Sequence, residues 1–223
     1  MKKFIVLSVP FVLMLLSCKS DKIASLNPEE FNISREIATA LVNDENLEIH
    51  DFHKENDLSK MIVETPDERL RFSVKALSDD LYAGFITPGH DLFEWTSSDR
   101  LIRSELKKDL NFYLYDKKNG KLQRINLFQK AKKYALQKSG GNQVEQIEIG
   151  DIKWGNYPEN KVFYVEVDYK FDGHDTNYIL MVDVNQKKVA GVSCDGAKCC
   201  RVRYYPGEGY FECSCSNCVM NVD

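Results

Sequence analysis

Six of the seven cysteines fall within 25 residues, at Cys194, Cys199, Cys200, Cys213, Cys215 and Cys218, and none falls between residues 19 and 193. This segregation confines cross-links to one end of the chain and leaves the rest to fold by burial alone. A body of about 175 residues is long enough for that. An even number of closely grouped cysteines in an extracytoplasmic chain reads as three disulfides. Between them, Pro206-Gly207-Glu208-Gly209 is a turn signal joining Arg201–Tyr205 to Tyr210–Cys213. If Tyr205 opposes Tyr210, then Arg203 meets Glu212, a favourable cross-strand pair, and Val202 meets Cys213. Cys200 then meets Cys215, which favours a Cys200–Cys215 bridge if the two occupy a closely spaced pair. The remaining pairings stay open. A rival reading takes Cys194, Cys199, Cys215 and Cys218 as four thiolate ligands of zinc, but it leaves Cys200 and Cys213 spare. Cys215-Ser216-Asn217-Cys218 has the spacing of a redox pair without the βαβ context.

Composition sets the outer bounds. The chain has 223 residues, 43% hydrophobic and 29% charged, with a net charge of −4. That balance excludes a dedicated nucleic-acid binder, which would be basic, and twelve Gly with six Pro exclude a fibrous or disordered chain.

The N-terminus carries an address. Lys2 and Lys3 precede an apolar run from Phe4 to Leu16, too short to cross roughly 30 Å of hydrocarbon and suited to a secretory signal. Leu15-Leu16-Ser17-Cys18 resembles a bacterial lipobox. The resemblance implies removal of residues 1–17 and acylation of Cys18, so that the membrane is met through a lipid anchor. Loss of Lys2 and Lys3 takes the net charge from −4 to −6. Lys19 rather than Asp after the cysteine points to the outer membrane, if the sorting rule of enteric bacteria applies.

Residues 18–27 read as a polar tether. Asn27-Pro28-Glu29-Glu30 is a helix start, with Phe31, Ile37, Ala38, Leu41 and Val42 supplying the apolar face of a helix over 28–44. Leu70, Phe72, Val74 and Ala76 alternate with polar neighbours as a half-buried strand, and Leu81–Ile86 is a second strand. Leu101, Ile102, Leu106 and Leu110 fall at helical spacing. Residues 111–116 and 121–125 flank Asn119-Gly120 as a hairpin. Asn126 to Gln129 is a capping box that opens a helix stopped by Ser139-Gly140-Gly141. Strands follow over 144–154, with Gly150 as a bulge, then 163–171, 178–184 and 188–192.

The order helix, strand, long strand, strand, strand over 126–192 resembles the PepSY-like and cystatin-like domains, and Tyr178–Val189 resembles their terminal hairpin. The resemblance implies a helix packed on a curved antiparallel sheet, and binding or restraint of an extracytoplasmic protein such as a peptidase. Tyr115–Leu122 also matches Val182–Val189 at an offset of 67 residues, as two diverged copies of one unit would. The expected fold class is therefore α+β, with helices packed on antiparallel sheet in one helix-on-sheet unit or two related ones, followed by a disulfide-rich hairpin. The expected organisation is a unit over 28–125, a PepSY-like or cystatin-like unit over 126–192, and a cysteine-rich hairpin over 193–223.

Catalytic constellations are sparse. His50 and His53 sit among acidic residues, as on a solvated face or, alternatively, as ligands of a metal-binding protein or envelope hydrolase. His90 and His174 each lie in Gly-His-Asp; an imidazole beside a carboxylate suits a base, but both tripeptides read as turns. No nucleophile elbow, zincin motif or phosphate-cradling loop is present, and no cofactor is indicated. Residues 107–138 hold ten Lys or Arg against Asp109 and Asp116; such a face is solvated, or meets anionic lipid or glycan phosphate. The expected function is a non-enzymatic, lipid-anchored binding module of the cell envelope. Tyr204, Tyr205, Tyr210 and Phe211 are displayed on its stapled hairpin for a protein partner, or instead pack it onto the sheet.

Overall fold

A computed structural model describes residues 27–55, 58–88, 101–102, 108–196 and 199–223. The chain opens with helix α1 (Pro28–Val42), whose N-cap Asn27 accepts a hydrogen bond from the Glu29 amide as the sequence dictates. Strands β1 (Glu48–Glu55), β2 (Leu58–Glu64), β3 (Arg69–Ser78) and β4 (Leu81–Pro88) follow, then β5 (Leu101–Ile102), β6 (Asn111–Asp116) and β7 (Lys121–Asn126). Helix α2 (Leu127–Lys138) is capped by Asn126, which accepts from the Gln129 amide. After it come β8 (Ile147–Tyr157), β9 (Val162–Phe171), β10 (His174–Asp183) and β11 (Lys188–Asp195). The C-terminal segment supplies β12 (Val202–Tyr205), β13 (Tyr210–Cys213) and β14 (Val219–Val222).

The strands form three antiparallel sheets. Sheet A runs β1-β2-β3-β4-β6-β7, sheet B runs β14-β11-β10-β9-β8-β5, and β12-β13 is a separate hairpin. Period-two alternation sends the side chains of the central strands β4 and β6 to two cores. Tyr82, Ile86, Tyr113 and Tyr115 pack with Ile37 and Ala38 of α1, while Leu81, Ala83, Phe85, Phe112 and Leu114 face the other way. That second face shares one continuous core with α2 and with Phe163, Val165, Val167 and Leu180 of sheet B. Sheet B in turn buries Ile179, Val192 and Cys194 beneath the hairpin, against Cys200 and Val202. The layers are thus α1, sheet A, sheet B with α2, and the disulfide-bonded cap.

The α+β expectation is overturned. Among the described residues there are only two α-helices, and 55% of those residues are strand, which makes the described chain mostly β. Three segments of the body contribute to the difference. The acidic stretch around His50 and His53 forms β1 as an edge strand with a bulge between those histidines, where charged side chains cost little because they meet water. Strand β2 is buried along six consecutive residues, Leu58 to Val63, so it shows no alternation to read. Leu101 and Ile102, placed at helical spacing by the sequence, lie in strand β5 beside β8.

Several local expectations are met. Asn119-Gly120 closes the β6–β7 hairpin and Asp172-Gly173 the β9–β10 hairpin, and the register of β8 slips between Ile149 and Ile152, across Gly150. The two matched phrases both end hairpins, at Asp116↔Lys121 and Asp183↔Lys188. Lys187 of the second turn reaches across to sheet A and donates to Asp80 at 2.6 Å and Asp116 at 2.8 Å. Its hydrogen bonds hold both carboxyls below their usual range.

Candidate functional site

The hairpin adopts the register its turn requires: Val202↔Cys213, Arg203↔Glu212, Tyr204↔Phe211 and Tyr205↔Tyr210. The disulfides do not follow from extending that ladder. Cys194 pairs with Cys213, Cys199 with Cys215, and Cys200 with Cys218. The favoured Cys200–Cys215 bridge is therefore replaced, and the pairing leaves these six without a thiolate for zinc. The cause lies at Ser214, whose amide donates to the Arg201 carbonyl at 2.9 Å while its Oγ accepts from the Arg201 amide at 3.0 Å. With the ladder captured there by a side chain, Cys215 meets Cys199. Cys200, 0% exposed, turns into the sheet toward Cys218.

Four non-local contacts bolt this cap onto β9, β10 and α2. The buried Asn177 side chain mimics a peptide unit, accepting from the Val202 amide at 2.9 Å and donating to the Val202 carbonyl at 2.9 Å. Thr176 Oγ1 donates to the Cys200 carbonyl at 3.0 Å. Lys138, the last residue of α2, donates to Thr176 Oγ1 at 2.8 Å and to the same carbonyl at 2.6 Å. Burial draws the Lys138 ammonium down to about 8, although Asp195 pulls the other way. Arg201 pairs with Asp168. Nothing local in the sequence singles out Asn177 or points to its partner 25 residues away.

The four aromatics named from the sequence divide by strand alternation. Tyr204 and Phe211 stack on each other at 4.7 Å and face sheet B, where Tyr204 meets Tyr164 at 5.4 Å and Tyr157 at 6.3 Å. Burial raises the Tyr204 hydroxyl above its ordinary pKa. These two are packing residues. Tyr205 and Tyr210 stack at 4.9 Å on the opposite face, and Tyr205 donates to Glu212 Oε2 at 2.9 Å.

Strand β14, unread from the sequence, completes the surface. Among the described residues the exposed large hydrophobic side chains are Tyr210 (43%), Val219 (64%), Met220 (37%) and Val222 (66%). All four lie in the cysteine-bonded segment. The strand is held at both ends. Cys218, bonded to Cys200, precedes it. Asp223 follows it, exchanging backbone hydrogen bonds with Gly191 at 2.9 and 3.0 Å. The Asp223 carboxylate accepts from Lys130 at 2.9 Å, from Tyr134 at 2.7 Å, and from Lys133. Burial alone would raise this carboxyl, but the three donors hold it down at about 2.

The described histidines, His50, His53 and His174, assemble no centre. His50 Nε2 stands 3.6 Å from Glu48 and from Glu64 on the exposed β1–β2 edge, and His53 Nδ1 meets the Asp51 carbonyl at 2.8 Å. His174 lines a cavity of about 350 Å3 with Lys138, Ser139 and Thr176. His90 and Cys18 lie outside the described residues. Among the described residues no group of three or more His, Cys, Asp or Glu is arranged to hold a metal, and no helix is long and apolar enough to cross a membrane. The described part of the basic run, 108–138, does not gather on one face: Lys117 pairs with Glu36 of α1, and Lys130 and Lys133 pair with Asp223.

Fold and site together define a mostly β chain whose C-terminal cap is cross-linked by three disulfides. It matches no protein-family model, no curated protein and no solved structure.

Proposed function

We propose that the protein is a lipid-anchored, extracytoplasmic binding module that holds a protein partner against its disulfide-bonded C-terminal surface. One observation carries the reading. Among the described residues the exposed large hydrophobic side chains, Tyr210, Val219, Met220 and Val222, all lie in the segment that the disulfides and the Asp223 clasp hold. Exposed apolar surface is costly, and a pre-ordered patch of it marks an interaction site. Three disulfides agree with an oxidising compartment, and the lipobox-like Leu15-Leu16-Ser17-Cys18 supplies the anchor.

Cross-linking in the native envelope tests this. The parent protein is compared with a Tyr210→Ser/Val219→Ser/Val222→Ser variant that keeps all six C-terminal cysteines. The expected result is a discrete protein adduct that the triple variant loses. An adduct of unchanged yield would place the partner elsewhere, and the reading would fall. Cys18→Ser should release the protein from the membrane fraction.

A further inference from the structure

We infer that the free edge of β14 takes an extended peptide segment of another protein by strand addition; this rests on the binding-module reading above and names its ligand class. Antiparallel ladders alternate pairs that exchange hydrogen bonds with pairs that do not. Gly191 and Asp223 exchange theirs. With the register Val192↔Val222, Ser193↔Asn221, Cys194↔Met220 and Asp195↔Val219, Asn221 and Val219 turn their backbone groups toward β11. The N–H and C=O groups of Met220 and Val222 point the other way, where no described strand pairs with them. Their side chains share the face of Val192 and Cys194, so the apolar strip beneath the cap runs out to the edge at two exposed side chains.

The edges of sheet A are built differently. Strand β1 reads Glu-Ile-His-Asp-Phe-His-Lys-Glu, with a bulge and Asp51 at a φ of 55°. Strand β7 exposes Lys121, Gln123 and Arg124. Charges and bulges are the usual means by which an edge refuses another strand. Strand β14, Val-Met-Asn-Val, carries neither.

Size selects the occupant. Four residues span about 13 Å at roughly 3.3 Å each, an edge too short to bury by itself the roughly 1,200–2,000 Å2 of a specific, stable interface between two folded proteins. A second copy of the chain meeting edge to edge would therefore gain too little. A flexible peptide needs only the backbone groups and two alternate apolar contacts, which is the economy of β-augmentation.

The test separates backbone pairing from side-chain stickiness. Val222→Pro deletes an outward N–H without touching the β11 ladder, a position where edge strands accept proline, whereas Val222→Ala keeps the N–H and trims the side chain. The probe is a fluorescein-labelled peptide of about seven residues with valine at alternate positions and lysine at both ends. Titration by anisotropy should give saturable binding to the anchor-free protein. Val222→Pro should weaken it at least tenfold, Val222→Ala by no more than about threefold, and the melting temperatures of both should stay close to the parent. Equal losses in the two variants would overturn strand addition in favour of plain hydrophobic contact. So would absence of peptide binding, or partition of the anchor-free protein onto phosphatidylethanolamine–phosphatidylglycerol vesicles insensitive to Val222→Pro. If the envelope adduct is lost in the triple serine variant while the peptide does not bind, the binding module stands and the strand-addition mechanism alone falls.

Discussion

At the scale of single residues, the C-terminal clasp shows how one carboxylate is placed by groups remote in sequence. Asp223 meets Lys130, Lys133 and Tyr134 of α2, and the space for it exists because residue 191 is glycine. A Cβ there would lie 2.1 Å from Tyr134 Oη and 2.5 Å from Asp223 Oδ1. The carboxyl stands at about 2 against an ordinary 3.8. Its folded-state pKa is lowered, so its stabilisation is fully present above about pH 4 and is lost as pH falls toward 2. The shift corresponds to about 2.4 kcal/mol at about 1.36 kcal/mol per unit, and partial exposure trims this to about 1–2 kcal/mol. Urea unfolding of the parent and of Asp223→Asn at pH 6 and pH 2.5 measures it. The variant should be the less stable at pH 6, and the gap should shrink at pH 2.5. A gap independent of pH would remove the carboxylate from the account.

At the scale of elements, the three disulfides differ in access. Cys194 and Cys200 are buried, 1% and 0% exposed, and each protects the bridge it belongs to. Cys199 is exposed and Cys215 half-buried, so an attacking thiolate reaches Cys199–Cys215 first. Under graded reductant, alkylation and peptide mapping should find Cys199 and Cys215 modified well before the other four, with β14 still tied through Cys200–Cys218 and peptide binding retained. Simultaneous labelling of all six would contradict this order. The same region shows what a sequence makes legible. Turn chemistry is local, so Pro206–Gly209 fixes the β12–β13 register and Asn119-Gly120 the β6–β7 hairpin. The disulfide pairing hangs on Ser214 standing in for a backbone group, which no spacing rule contains. Strand β2 hides because both its faces are buried, and β14 because four residues carry no readable period. The cysteines mark the segment in which we propose the site; the edge that we propose does the binding becomes visible only once β11 has a neighbour.

At the scale of the whole molecule, the two six-stranded sheets are halves of one core rather than separate bodies in contact. Phe163 of sheet B is 0% exposed, stacks on Phe112 of sheet A at 6.1 Å, and meets Trp154 at 5.8 Å. Leu127, Ala131 and Ala135 of α2 fill the same cluster, and the Lys187 clasp to Asp80 and Asp116 closes its rim. Neither sheet can lose its partner without exposing a full apolar face, so the two should open together. Phe163→Ala, with the disulfides intact, should cost about 3–5 kcal/mol. Under native conditions, hydrogen exchange of the slowest amides should accelerate by the same factor in β4 and β6 of sheet A as in β9 and β10 of sheet B. Acceleration confined to sheet B would mean that the sheets unfold independently. Coupled opening would give the proposed binding edge a firm base: β14 hangs from β11, β11 from β10, and β10 from the core that both sheets share. An edge seated on the globally unfolding unit, rather than on a locally fraying one, stays extended between encounters, so a partner strand does not bear the cost of ordering it.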